Sequence, residues 1–199
     1  MANYVEIANL AAQKIGAGQI FDPGEDGLLA REIAVAWDRT RRFCLRGGDK
    51  APKWNFALRR VALAARVATL DRPIPYPYRF AYPDPAESLR FVEVLNGDAS
   101  DYEYEGGEVI TNLPGPLWVR VIVDVENTAL WDDLFVETFA ARLAYQICDR
   151  VAGDLQRKQE CRGEYQANLI AAAGVDAMEN PPIEEEEDSW VLARMGYCR

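Results

Sequence analysis

A cluster of prolines in the middle of the chain limits the fold more than any other feature of the sequence. Prolines occupy positions 73, 75, 77, 83 and 85, with Tyr76, Tyr78, Phe80 and Tyr82 between them. Proline fixes φ and lacks a backbone N–H, so this density excludes a helix and favours extended chain at a sheet edge. The aromatic residues are expected to close the end of a core, with stacking on bases or sugars as the alternative.

The segments after this cluster predict a small antiparallel meander. Each is short and rich in β-branched or aromatic residues, and turn residues such as Asn96-Gly97 and Gly106-Gly107 separate them. The expected strands are residues 89–95, 102–105, 108–111 and 117–123.

Helices are predicted on both sides of the β region, because apolar residues recur there at intervals of three to four. The first two cover Tyr4–Ile15 and about 27–45, with Asp26 as the expected cap of the second. The other two run from Asp132 to Gly153 and from Asp154 to Ala173.

Residues 53–67 allow two interpretations. Their alanine, leucine and arginine content favours a helix, whereas the alternation of Trp54, Phe56 and Leu58 suits a strand.

The expected fold is therefore α+β: an antiparallel bundle of about four helices with an inserted antiparallel β domain and an extended C-terminal tail. Residues 1–72 and 130–177 would form the bundle, 73–129 the β domain and 178–199 the tail. No apolar run approaches the roughly 20 residues of a membrane span, so no membrane segment is expected.

The absence of histidine from all 199 residues excludes several catalytic and metal sites. Ser-His-Asp triads, Cys-His dyads, H-E-x-x-H zinc sites and C₂H₂ fingers all require it. The four cysteines are far apart, and Cys44 and Cys148 fall on apolar helix faces, where they are expected in the core. We expect neither a metal nor a cofactor.

Paired carboxylates are the remaining catalytic candidates, because a glycosidase needs no histidine. The candidates are Asp132-Asp133 and the group Glu103, Glu105 and Glu108. Acidic residues are also common at helix starts and hairpin turns, where Asp132-Asp133 would complement a helix dipole. We favour this structural interpretation.

Charge is distributed unevenly along the chain. Residues 1–72 carry 12 basic and 8 acidic side chains (net +4), whereas the remainder carries 10 and 24 (net −14). A basic run that includes Arg39, Arg42 and Arg46 is a candidate subunit interface, and solvated helix faces are the alternative. The net charge of −10 disfavours duplex DNA as a ligand.

The C-terminal segment combines an acidic run, residues 184–188, with an isolated Trp190. An aromatic anchor beyond a proline-containing linker is typical of docking onto a partner. Packing of Trp190 on its own bundle is the alternative.

Three stretches, taken in order, resemble one protein family. They are Ile7–Gly16 with Arg41-Arg42 and Trp54–Ala57; Tyr102–Asn112 leading through Leu117–Val121 to Leu134–Ala144; and Asp176–Glu179 with Ser189–Arg194. Together they resemble the head-to-tail adaptors, or connectors, of tailed bacteriophages, the family that includes the tail tubular protein A group.

This resemblance implies a non-catalytic ring, usually of twelve copies, docked beneath the portal protein in the virion neck after assembly in the host cytoplasm. It implies that Trp190, Leu192 and Arg194 engage the portal. The β domain would point outward or towards the next tail (nozzle) protein, and DNA would pass through the lumen without specific binding. The family pattern places Trp54–Phe56 at the junction of bundle and β domain and Trp54–Val61 in extended chain.

Two other functions remain open at this point. One is a carbohydrate-cleaving tail hydrolase that uses the paired carboxylates, and the other is a small acidic oligomeric scaffold of the cytosol.

Overall fold

The computed structural model describes residues 2–47, 52–66, 76–82, 88–97 and 101–179. These residues form a mixed α+β fold, which confirms the predicted fold class. The elements in chain order are α1 Tyr4–Lys14, α2 Leu28–Arg46, β1 Leu58–Leu63, β2 Ala65–Arg66, β3 Tyr78–Ala81, β4 Ser88–Val94, β5 Tyr102–Glu105, β6 Glu108–Thr111, β7 Leu117–Val123, α3 Asp133–Val151 and α4 Leu155–Glu179.

Local signals begin and end the helices. Asn3 and Glu6 form a capping box at the start of α1, and the Asp132 carboxylate accepts from the Phe135 N–H at 2.6 Å to cap α3. The predicted cap of α2 is wrong by one residue: Gly27 occupies that position, with no side-chain hydrogen bond. Helix α4 extends six residues beyond the predicted end at Ala173, to Glu179.

Helix α3 lies at the centre of the bundle, where it packs against α1, α2 and α4. Its alanines permit this close approach. Its larger side chains, Phe135 and Phe139, form part of an aromatic cluster. The cluster contains Trp37, Trp54, Trp131, Phe135 and Phe139. Cys44 and Cys148 are fully buried, as predicted, and burial raises the pKa of the Cys44 thiol to about 12.

Two antiparallel sheets form the β region, with strand orders β1-β7-β4 and β2-β3-β6-β5. The predicted β5–β6 hairpin is present, and Gly106 and Gly107 have the positive φ angles of its turn. The predicted meander is wrong, because β7 lies between β1 and β4 instead of beside its neighbours in sequence.

Residues 53–66 resolve the ambiguity in favour of extended chain. Asn55–Ala57 form one 3₁₀ turn, and β1 then pairs with β7, placing Val61 opposite Val119. Pairing with a distant strand overrides the helix propensity of the alanine, leucine and arginine residues. Residues 58–63 and 65–66, which the prediction assigned to the bundle segment 1–72, therefore lie in strands, and the β region begins at Leu58 instead of residue 73.

Trp54 connects the bundle to β1. Its backbone has a φ of 37°, a left-handed conformation that is unfavourable for a bulky residue. Its indole Nε1 donates to the Cys44 carbonyl at 3.1 Å, and the side chain is buried in the aromatic cluster. Packing therefore holds this residue in place at the junction.

The predicted tail begins within α4, since Met178 and Glu179 are its last two residues. The rest of that tail, including Trp190, Leu192 and Arg194, lies outside the described residues.

Candidate functional site

Four arginines line a cleft of about 630 Å³ where the end of α2 meets the β region, here named the arginine cleft. Arg39, Arg42 and Arg46 are spaced i, i+3 and i+7 on α2 and therefore share one helix face, and β4 contributes Arg90. The three arginines predicted as a subunit interface are thus brought together on an exposed surface. Whether another subunit covers them stays a prediction.

The arginines on α2 have little local compensation for their charge. Arg42 Nε lies 3.7 Å from an oxygen of Asp124, a long ion pair shared with another arginine. Within the described ranges, Arg39 and Arg46 have no carboxylate at ion-pair distance. The arginine cleft therefore presents positive charge to whatever occupies it.

Aromatic rings form the other wall of the arginine cleft. Phe91 and Tyr104 stack with parallel rings whose centroids are 5.8 Å apart, and Tyr82 lies 5.1 Å from Tyr104. Burial raises the pKa of the Tyr82 hydroxyl, which accepts a 2.7 Å hydrogen bond from Ser88. Guanidinium groups beside apolar rings suit carboxylates, because a partly dry surface strengthens each charge-assisted hydrogen bond.

Arg41 belongs to the same basic run but has a different role. It is buried, and its guanidinium contacts Asp124 at 2.8 Å, Asp38 at 2.7 Å and Glu126 at 3.2 Å. Asp124 directly follows β7, so Arg41 connects the bundle to the sheet. This arginine stabilises the fold and is not available to a partner.

A second cleft, of about 460 Å³, carries the opposite charge and is here named the acidic cleft. Its carboxylates come from both ends of the helical pair: Asp132 and Asp133 at the start of α3, and Asp176 and Glu179 at the end of α4. Its apolar lining consists of Pro52, Trp54, Phe56, Leu134, Ala172 and Val175. The side chain of Asn55 donates to Glu179, which holds the end of α4 against the junction.

The sequence identified only part of these clefts. It singled out the arginines of α2, whose spacing is a local signal, but it missed Arg90 and the aromatic wall. It identified Asp132-Asp133, but gave Asp176 and Glu179 no role in a site. The missed residues reach their clefts through long-range packing, for which the sequence carries no local signal.

The two groups of candidate catalytic carboxylates do not lie together in either cleft. Glu103 and Glu105 are exposed on β5, and Glu108 on β6 lies 3.5 Å from Arg79. Neither the arginine cleft nor the acidic cleft is lined by both this group and the Asp132-Asp133 pair. Within the described ranges, no group of three or more cysteine, aspartate and glutamate residues is placed to hold a metal ion.

Substitution of Asp132 tests its role as the N-terminal cap of α3. Desolvation in the acidic cleft raises its pKa, and Asp133 and Glu179 raise it further. We expect Asp132→Ala to lower the free energy of unfolding by about 1 kcal/mol, because the cap of α3 is lost. Asp132→Asn keeps the cap and removes the charge, so it should match or slightly exceed the wild type at pH 7.

Urea denaturation as a function of pH measures both variants. A carboxyl with a raised folded-state pKa contributes stability below its unfolded pKa and loses it as the pH rises through the folded value. Any advantage of Asp132→Asn should therefore disappear near pH 3. If the alanine variant were as stable as the wild type, Asp132 would not be acting as a cap.

Comparison with known proteins adds no family to this description: no protein-family model matches the chain, and no curated protein sequence matches it. None of the helices in the described ranges has both the length and the apolar character needed to cross a bilayer.

Proposed function

We propose that the chain is a non-catalytic structural subunit of a bacteriophage head-to-tail adaptor ring. The observation that supports this best is the presence of two separate clefts of opposite charge on one chain. They share no lining residue, so each presents a different surface to a neighbour. Rings of identical subunits need such heterologous contacts, whereas a two-fold dimer uses one self-complementary patch.

Exposed apolar side chains add surface that association would bury. Val35 on α2 is 80% exposed, and Ile170 and Met178 on α4 are 75% and 84% exposed. Phe43, also half-exposed, borders the arginine cleft. Aromatic, methionine and arginine side chains are enriched in protein interfaces. The exposed Phe43, Met178 and the arginines of α2 that line the arginine cleft therefore support a role in assembly.

The remaining parts of the proposal come from the resemblance in sequence. The bundle forms the wall of a ring, of twelve copies in the family pattern, beneath the portal protein. Trp190, Leu192 and Arg194 bind the portal, and the β domain faces the next tail protein. An acidic chain suits a channel through which DNA passes, because it does not retain phosphate. The protein would assemble in the host cytoplasm and remain in the virion neck.

The protein content of purified virions tests this function. Particles produced by the phage that carries this gene should contain the chain at a fixed ratio to the portal protein, measured by quantitative mass spectrometry. A protein found only as a soluble oligomer, absent from particles, would support the cytosolic scaffold instead and reject the adaptor.

Removal of residues 180–199 tests the predicted portal contact. All the helices that the structure describes lie within residues 4–179, so the truncated chain should retain its circular dichroism spectrum and unfolding midpoint. It should nevertheless fail to bind portal-containing capsids in a sedimentation assay, because the Trp190 anchor is gone. Full-length chain with Phe21→Ala, a substitution at a side chain that is 83% exposed, is the control. Normal binding by the truncated chain would rule out the anchor.

A further inference from the structure

We propose that the arginine cleft of one subunit binds the acidic run, residues 184–188, of a neighbouring copy. This inference rests on the proposed ring, and it names the partner of one of its two faces. The run consists of four glutamates and one aspartate in succession and is the longest run of like charge in the chain.

Charge complementarity is the first argument. The arginine cleft gathers four guanidinium groups, of which Arg39 and Arg46 have no carboxylate partner in the described part of the chain. Each guanidinium can bind a carboxylate through two parallel hydrogen bonds. A segment with five carboxylates can offer such a partner to more than one arginine of the cleft. An acidic peptide therefore fits this surface better than a neutral one.

The form of the cleft is the second argument. A volume of about 630 Å³ bounded by aromatic rings accommodates a few residues of extended chain. Arg90 Nη1 donates to the Arg46 carbonyl at 2.9 Å, so the two walls of the cleft are linked. A linked cleft loses less entropy when it binds a segment than a mobile surface would.

The choice of a neighbour over the same chain follows from the proposed ring. Helix α4 ends in the acidic cleft, whose lining shares no residue with the arginine cleft. Four residues lie between Glu179 and Glu184, so the five-residue step spans at most about 17 Å in extended chain. Because a ring brings two different faces of the subunit together, the inference assigns the run to the arginine cleft of the next copy.

Two full-length variants with reversed charge test the pairing. The cleft variant carries Arg39→Glu and Arg46→Glu, and the run variant carries Glu185→Lys and Glu186→Lys. Neither arginine has an ion pair with another residue that the structure describes, and Arg162→Glu on α4 is the matched control at an exposed arginine. At 150 mM NaCl, native mass spectrometry should show at least about 10-fold less ring for each variant and no change for the control.

A mixture of the two variants distinguishes neighbour from self. In an alternating ring, the native cleft of one variant meets the native run of the other, and the reversed cleft meets the reversed run. Mixing should therefore restore assembly. If mixing fails but one chain carrying all four substitutions assembles, the run binds its own cleft and the neighbour assignment is overturned.

A peptide assay separates this inference from the ring itself. A fluorescent peptide of residues 180–199 should bind full-length protein whose run is neutralised to glutamine and asparagine, and Arg39→Glu/Arg46→Glu should weaken that binding at least about 10-fold. Binding that is independent of these arginines rejects the inference. A single-stranded oligonucleotide that binds the cleft more tightly than the peptide would assign the cleft to nucleic acid and would also reject the inference. Absence of rings in the wild type rejects only the proposed function.

Discussion

Replacement of Phe135 by alanine is expected to lower the free energy of unfolding by about 4 kcal/mol. Phe135 is fully buried at the start of α3 and contacts Trp54, Phe56 and Trp131, with ring centroids 4.8, 5.1 and 4.9 Å away. Truncation removes the transfer free energy of the ring and leaves a cavity among stiff aromatic neighbours that cannot collapse into it. The loss would be close to half of the stability of an ordinary domain.

Guanidinium denaturation at one fixed protein concentration measures this effect, because association would otherwise add to the apparent stability. Phe21→Ala is the matched control, since the Phe21 side chain is largely in solvent and its loss should change stability by less than about 0.5 kcal/mol. An equal, small effect at both positions would mean that the aromatic cluster does not form the core of the bundle.

Replacement of Arg41 by methionine is expected to cost about 3–5 kcal/mol. The Asp124 carboxylate is only 9% exposed, and the two Arg41 nitrogens that bind it lie at 2.8 and 3.1 Å. Without this partner, a charge with little access to water is left poorly compensated, and that penalty exceeds the loss of the ion pair alone. The substitution would remove the ion pair between α2 and the residue that follows β7.

A double substitution identifies the cause of the loss. Arg41→Met with Asp124→Leu removes both charges and should be more stable than Arg41→Met alone, as a double-mutant cycle would show. Arg162→Met is the control at an exposed arginine. A double variant less stable than either single variant would mean that Arg41 and Asp124 stabilise the fold independently of each other.

The helices were largely predictable because their signals are local. The apolar spacing, the acidic start at Asp132-Asp133 and the break at Gly153 are all within a few turns of the residues that they organise. Strand order was not predictable in this way. Strand β7 pairs with β1 across some 60 residues of chain, and that choice depends on which apolar faces must be covered in the whole fold.

The residues that line the two clefts also fall into two groups: those that local sequence predicts and those that depend on contacts between distant elements. Arg39, Arg42 and Arg46 were identified because one helix face brings them together, and their exposure follows from the apolar residues on the opposite face. Arg90 joins them only because β4 packs against α2, and Glu179 reaches Asp132 only because α4 lies against α3. Sequence periodicity contains no information on such contacts between elements.

Electron cryo-microscopy of the assembled protein, alone or in the virion neck, tests the central claim most directly. We expect a closed ring in which the arginine cleft of every subunit faces the acidic residues that end or follow α4 in the next. A monomer, or a ring whose subunits meet through other surfaces and leave Arg39 and Arg46 in solvent, would contradict this account.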